Sequence, residues 1–164
     1  MRGLTSFEDL VAFVTTHKVP HKLDRDLQVV ELPSNDTTLP DVLYVRWEKH
    51  IPFVTMIQFA LVDLPVSRIT DLEHAIVVLN NKLDVPGFGL DGASRRLYNR
   101  LAIPVLPPDG IDPMMLNQLG MGCVKQAHQF APAFRAVAQG RSGSDILALA
   151  EAALADQSGI ALTR

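Results

Sequence analysis

The chain has 164 residues, 48% of them hydrophobic, and 15 Lys and Arg against 18 Asp and Glu give a formal charge of −3. That length suits one domain with a sizeable core, and so mild a charge gives no reason to expect a nucleic-acid or anionic-membrane partner. The single cysteine, Cys123, excludes an internal disulfide framework and a cysteine-rich metal site, and fits a reducing compartment.

The opening "MRGLTSFEDL" carries acids early and lacks the apolar run of a signal peptide. The longest apolar run, "IPFVTMIQFALVDL", is too short to span a bilayer. A cytoplasmic protein with no membrane partner is therefore expected.

Phe7, Leu10, Val11 and Val14 recur at helical spacing, and Thr5 with Glu8 has the form of a capping box. The first helix is expected from about Ser6 to His17, ended by Pro20. Three strands follow. "DLQVVELP" is the first, separated by the turn-rich "PSNDTTLPD" from "VLYVRWE", in which Leu43, Val45 and Trp47 share a face. "KHIP" turns the chain into the third, "FVTMIQFALV", the most apolar and so the central strand, buried on both faces. Short connections between consecutive strands imply an antiparallel meander.

A second helix follows, with a capping-box pattern at Thr70 and Glu73. Leu72, Ala75, Ile76, Leu79 and Leu83 form its apolar stripe. "GFGLD" and "RRLYNRLAIPV" then read as a hairpin turning at "DGAS". Asp112 and Pro113 open a long helix as N-cap and first residue. Its stripe runs through Leu116, Leu119, Cys123, Ala127, Phe130, Phe134 and Val137. Pro132 is expected to kink it near His128, and Gly120 and Gly122 to allow close approach of another backbone. "DILALAEAALA" is a short Ala-rich helix. The expected organisation is one α+β domain over residues 1–140 and a helical appendage at 141–164. The order is α-β-β-β-α-β-β-α plus a C-terminal helix, with an antiparallel sheet flanked by helices.

Gly87, Gly89 and Gly92 have the spacing G-x-G-x-x-G, with Asp112 at the distance of a ribose-binding acid. A phosphate cradle needs a strand before the glycines and a helix after them. Here a helix precedes and a strand follows, so they read as turn and edge-strand glycines, and Asp112 as a cap.

No catalytic set emerges. His17 and His21 stand four apart, but Pro20 breaks the helix that would align them as metal ligands. His50, His74 and His128 read as surface or half-buried groups. Cys123 lies on an apolar stripe and reads as buried. Ser142 misses the nucleophile-elbow pattern. Ser94, before two arginines, could touch an anion but reads as a turn residue. No carboxylate pair suggests a general acid and base. No cofactor or metal is expected.

Two groups remain as partner-binding candidates. Arg96, Tyr98 and Arg100 share one face of a strand, with Arg95 beside them. Such a face suits an acidic peptide or, with its aromatic, single-stranded RNA; otherwise it is a solvated, edge-protecting face. Met114, Met115 and Met121 near the start of the long helix are either core fillers or adaptable binding side chains.

The section "LEHAIVVLNNKLDVPGFGLDGASRRLYNRLAIPV" resembles the bacterial YbjN-like group, within the type III secretion chaperone-like fold. The shared features are a helix with the pair Leu79-Asn80, a short strand over Phe88 to Asp91, a turn, and an arginine-bearing strand over Leu97 to Val105. "FAPAF", Phe130 to Phe134, is similar to the close of the group's last helix. The resemblance covers roughly Thr5 to Gly140. It implies a small cytoplasmic homodimer that holds an extended segment of a partner protein along apolar grooves, or a regulatory module, with no catalytic residues to carry over. This chain is longer at its C-terminus and less acidic than the secretion chaperones. A non-enzymatic, chaperone-like binding protein is thus the leading expectation. The alternative is a small-molecule sensor or enzyme with a pocket near Tyr98, Arg100 and His128.

Overall fold

A computed structural model describes residues 3–33, 42–60, 62, 64–85 and 87–152. Helix α1 spans Phe7–Thr16, followed by strands β1 (Lys22–Asp24), β2 (Val29–Pro33), β3 (Val42–Trp47) and β4 (Phe53–Phe59). Helix α2 (Ile69–Asn80) leads to β5 (Phe88–Asp91) and β6 (Arg96–Pro104), and α3 covers Pro113–Ala138. A last helical stretch occupies 146–152. The strands form one six-stranded sheet in the order β1-β2-β3-β4-β6-β5. This is the α+β arrangement expected, with β1 as an addition. The turn-rich "PSNDTTLPD" lies outside the described residues beyond Pro33.

The chain divides into two compact units: Met1–Gln58 with Arg100–Val124, and Phe59–Asn99 with Lys125–Arg164.

In the first unit, α1 is capped one residue later than expected. Ser6 accepts from the Asp9 N–H, while the Thr5 N–H and hydroxyl both donate to the Asp9 carboxylate. Glu8 instead reaches Arg25, at 2.5 Å. The box is therefore shared between two residues, because Asp9 stands at the third helical position after the true cap: its N–H donates to Ser6, and its carboxylate accepts from Thr5, the residue before the cap.

The segment "DLQVVELP" is strand only from Val29. Before it, Leu27 donates its N–H to Asp24 at 2.9 Å and Gln28 takes φ +54°, which folds β1 onto β2. A three-residue strand has too little alternation to register as a period of two.

From β2 to β4 the pairing is antiparallel, with Leu32↔Leu43, Leu43↔Gln58, Val30↔Val45 and Val45↔Met56 in register. These residues share a sheet face, and Trp47 and Val54 extend it. Residues of both faces of β4 are buried, as its apolar run implies. The strand ends at Phe59 rather than running to Val62. The core collects α1, this face, and Ile103, Val105, Ile111, Leu116 and Cys123.

In the second unit, α2 is entered from a 3-10 turn, Val66–Arg68, and has no side-chain cap. The Thr70–Glu73 box is therefore not formed: Thr70 is already inside the helix, because the preceding turn carries the chain into it. Leu72, Ala75, Ile76 and Leu79 face a core completed by Phe88, Leu97, Phe130, Phe134, Val137 and Ile146. Phe88 meets Phe130 edge-on at 5.7 Å and Phe134 at 5.2 Å. The β5–β6 turn is one residue later than "DGAS": Asp91 pairs with Arg96, and Gly92 to Arg95 form the loop.

The long helix runs unbroken through Pro132. The glycines on it differ from expectation. A Cβ on Gly120 would meet side chains, Leu43 at 3.0 Å and Met56 at 3.3 Å, and one on Gly122 would meet nothing within 4 Å. Neither faces another backbone.

Candidate functional site: an apolar groove and a basic cleft

Two concavities stand out, one in each unit. The first, of about 410 Å3, lies in the first unit, on the sheet face built by β2, β3 and β4. Its floor is Leu32, Leu43, Val45 and Met56, with Gln58 as the polar exception. That floor exists because alternate residues of three registered strands project the same way. Leu10, Phe13 and Val14 of α1 line it, as do Leu116, Gly120, Met121 and Val124 of α3. Gly120 is where α3 lies against the sheet, so the groove persists partly because no side chain grows from that position.

The second concavity, of about 950 Å3, lies in the second unit. Ala60, Val62, Leu64 and Pro65 contribute to its lining. Ser94, Arg95 and Arg96 enter from the β5–β6 turn, and Arg135, Ala138 and Gln139 from the end of α3. Arg96 lies over the Phe59 ring, 3.9 Å from its centroid, a cation–π contact that orients it. Phe59 in turn meets Tyr98 edge-on at 6.3 Å. Arg95 holds φ +52° at the end of the turn.

The structure distributes the sequence-selected residues unevenly. Met114, Met115 and Met121 are 69, 40 and 61% exposed, which removes the core-filler alternative. Of the three, Met121 alone lines the apolar groove. Arg96 lines the basic cleft, joined by Arg95 and Arg135; Arg100 is exposed but lines neither concavity. Tyr98, Arg100 and His128 line neither, so the alternative pocket around them coincides with neither concavity. Arg135 carries no local signal in the sequence, since a lone basic residue near a helix C-terminus reads as a partner for the helix dipole.

The glycine triplet is fully accounted for. The Gly87 and Phe88 N–H groups donate to Asn80 Oδ1, at 3.3 and 3.1 Å, and Asn80 Nδ2 donates to the Phe88 carbonyl at 2.8 Å. A Cβ on Gly89 would sit 2.5 Å from Cζ of Tyr98, and Gly92 lies in the open turn. Asp112 caps α3 through the Met114 N–H at 2.9 Å. The triplet thus builds an edge strand and its turn, with a helix before it and a strand after, and no helix N-terminus follows it to receive a phosphate.

The remaining chemistry-bearing groups have structural surroundings. Cys123 is buried, and burial pushes its thiol up to about 11. His17 Nδ1 is 2.9 Å from the Phe13 carbonyl and His21 Nδ1 is 2.7 Å from the Val19 carbonyl. Ser142 accepts from the Ser144 N–H at the start of a 3-10 turn. Hydrogen bonds from Thr5 lower the Asp9 carboxyl, and those from Ser94 and Ala93 lower that of Asp91. Among the described residues no three His, Cys, Asp or Glu side chains are grouped to hold a metal ion, and no helix is long and apolar enough to cross a membrane.

No protein-family model and no curated protein sequence matches the chain. Solved structures do. YbjN, a candidate transcription regulator from E. coli, matches with a TM-score of 0.58 at 10% identity, over 77% of this chain and 89% of that one. A chain of the HopA1–SchA chaperone–effector complex matches with a TM-score of 0.50 at 17% identity, over 79% of this chain and 93% of that one. At such identities the likeness speaks for fold alone. The chain has the YbjN-like, type III secretion chaperone-like fold, a six-stranded antiparallel sheet flanked by helices.

Proposed function

We propose that the protein is a non-enzymatic, chaperone-like or regulatory binding module that holds an extended segment of a partner protein. The observation that carries this reading is the groove on the β2–β4 face. It is concave, apolar except for Gln58 and Asn117, and bordered by an exposed methionine, a side chain able to adapt to varied partners. An extended peptide would place alternate apolar side chains into it. Met114 and Met115, exposed in the first turn of the same helix, would lengthen that surface. One fold neighbour being part of a chaperone–effector complex supports a protein ligand, and the other being a candidate regulator supports a regulatory outlet. Under this reading the protein works in the cytoplasm as a homodimer.

The test is a peptide array of random dodecamers read with labelled protein, followed by titration of the best binders. Apolar-rich peptides should bind, and Met121→Glu and Leu32→Glu should each weaken them at least tenfold, because a carboxylate would be desolvated against apolar walls. Circular dichroism reports whether each variant is folded. Equal binding by folded Met121→Glu protein, or no selection for apolar peptides, would sink the reading.

A further inference from the structure

We infer that Gly120 sets the size of side chain the apolar groove accepts, and that the groove selects partner segments carrying Leu, Met or Phe over those carrying Val or Ala. This rests on the reading of the groove as a peptide site and adds the class of segment it takes. Gly120 lies in the interior of α3, where glycine is a weaker helix former than alanine. It is buried, and with Leu116, Asn117, Met121 and Val124 it belongs to the helix face that lines the groove.

Two distances give the position its meaning. A Cβ on Gly120 would stand 3.0 Å from Cδ2 of Leu43 and 3.3 Å from Sδ of Met56, both tighter than ordinary van der Waals contact. Both side chains belong to the groove floor. Met56 is fully buried and Leu43 nearly so, in the core of the first unit. Close-packed side chains have little room to yield inward, so a Cβ would push both toward the open side, which is the groove. Glycine therefore keeps the floor low at the point where α3 meets the sheet.

The floor also matches an extended chain. Leu43 and Val45 stand two residues apart on β3 and project the same way, about 7 Å from each other along the strand. Side chains on one face of an extended segment have that same repeat. Depth at Leu43 and Met56 then decides how long a side chain can be seated there. Gly122 supplies a matched position on the same helix: a Cβ there would meet nothing within 4 Å, and the residue is not part of the groove lining. Alanine at either position changes helix propensity alike, but only at Gly120 does it touch the floor.

The test uses the whole protein and two labelled dodecapeptides, one alternating Leu with Ser and Lys, the other with Val in place of Leu. Fluorescence anisotropy should give the unmodified protein a clear preference for the Leu peptide. Gly120→Ala should cut that preference at least threefold, and Gly122→Ala should leave it. Adding Leu43→Val to Gly120→Ala removes the δ-methyl group that the new Cβ would meet, and should restore the preference. Circular dichroism checks that each variant is folded, and the double variant, relieved of the contact, guards against a folding defect in Gly120→Ala alone. An unchanged preference in folded Gly120→Ala overturns the inference, as does an equal loss in Gly122→Ala or no recovery in the double variant. In each of these cases tight binding of the Leu peptide leaves the groove reading standing. Equal binding of the two peptides by the unmodified protein also overturns the inference, and binding of neither defeats the groove reading together with it.

Discussion

Asn80 shows how much one side chain can determine. Its amide accepts two N–H groups and donates to one carbonyl at the start of β5, so it acts as a short backbone neighbour for an edge strand. Asn80→Asp keeps the shape but removes the donor and sets a carboxylate beside the Phe88 carbonyl. A loss of about 1–3 kcal/mol is expected, measured by urea denaturation, with Asn80→Ala at least as costly. The bonds that give Asn80 its role join residues seven and eight positions apart, so they are set by the fold and not by a local sequence signal. Cys123 provides a pH signature. Burial raises its pKa from 9.0 to about 11, so above pH 9 the folded state holds a proton that the unfolded state has released. Stability should be unaffected by this group below pH 9 and fall by on the order of 2 kcal/mol as the pH rises to 11. Cys123→Ala should remove that slope in denaturation curves taken across the range.

At the scale of elements, the end of the described chain is bound to α2 more closely than its Ala-rich composition suggested. Gly143 lies against the Asp71 carbonyl, where a Cβ would overlap the oxygen, and Ile146 and Ala150 enter the second core. Arg68 ties the same region, donating through Nε to the Val137 carbonyl at 3.2 Å and through a terminal nitrogen to the Arg141 carbonyl at 2.6 Å. Gly143→Ala should therefore destabilise by about 1–3 kcal/mol, the usual cost of overpacking against backbone that has little room to move. Gly122→Ala is the matched opposite: a helix-interior position with open space around it, expected to gain about 0.5–1 kcal/mol. Thermal melts of the two variants should move in opposite directions. The sequence offered no way to rank these glycines, since each reads as a flexible residue until its neighbours are known.

At the scale of the molecule, the described residues form two cores, each with its own concavity of distinct chemistry. Apart from β1, the sequence by itself determined the element types, their order and the antiparallel block. Apolar periods of two and 3.6, prolines and caps are local signals that act within a few residues. It also determined that the glycine triplet is no phosphate cradle, because the flanking elements were legible from those same periods. Tertiary structure alone decided which candidates meet. The groove floor joins Leu32, Leu43 and Met56 through strand register, and the cleft joins Arg95 and Arg96 to Arg135 across about forty positions. Neither set has a spacing that a periodic reading could detect. A strand pair or a helix end brings residues together through hydrogen-bond register and core packing, and these depend on the folded partner rather than on the neighbour in sequence.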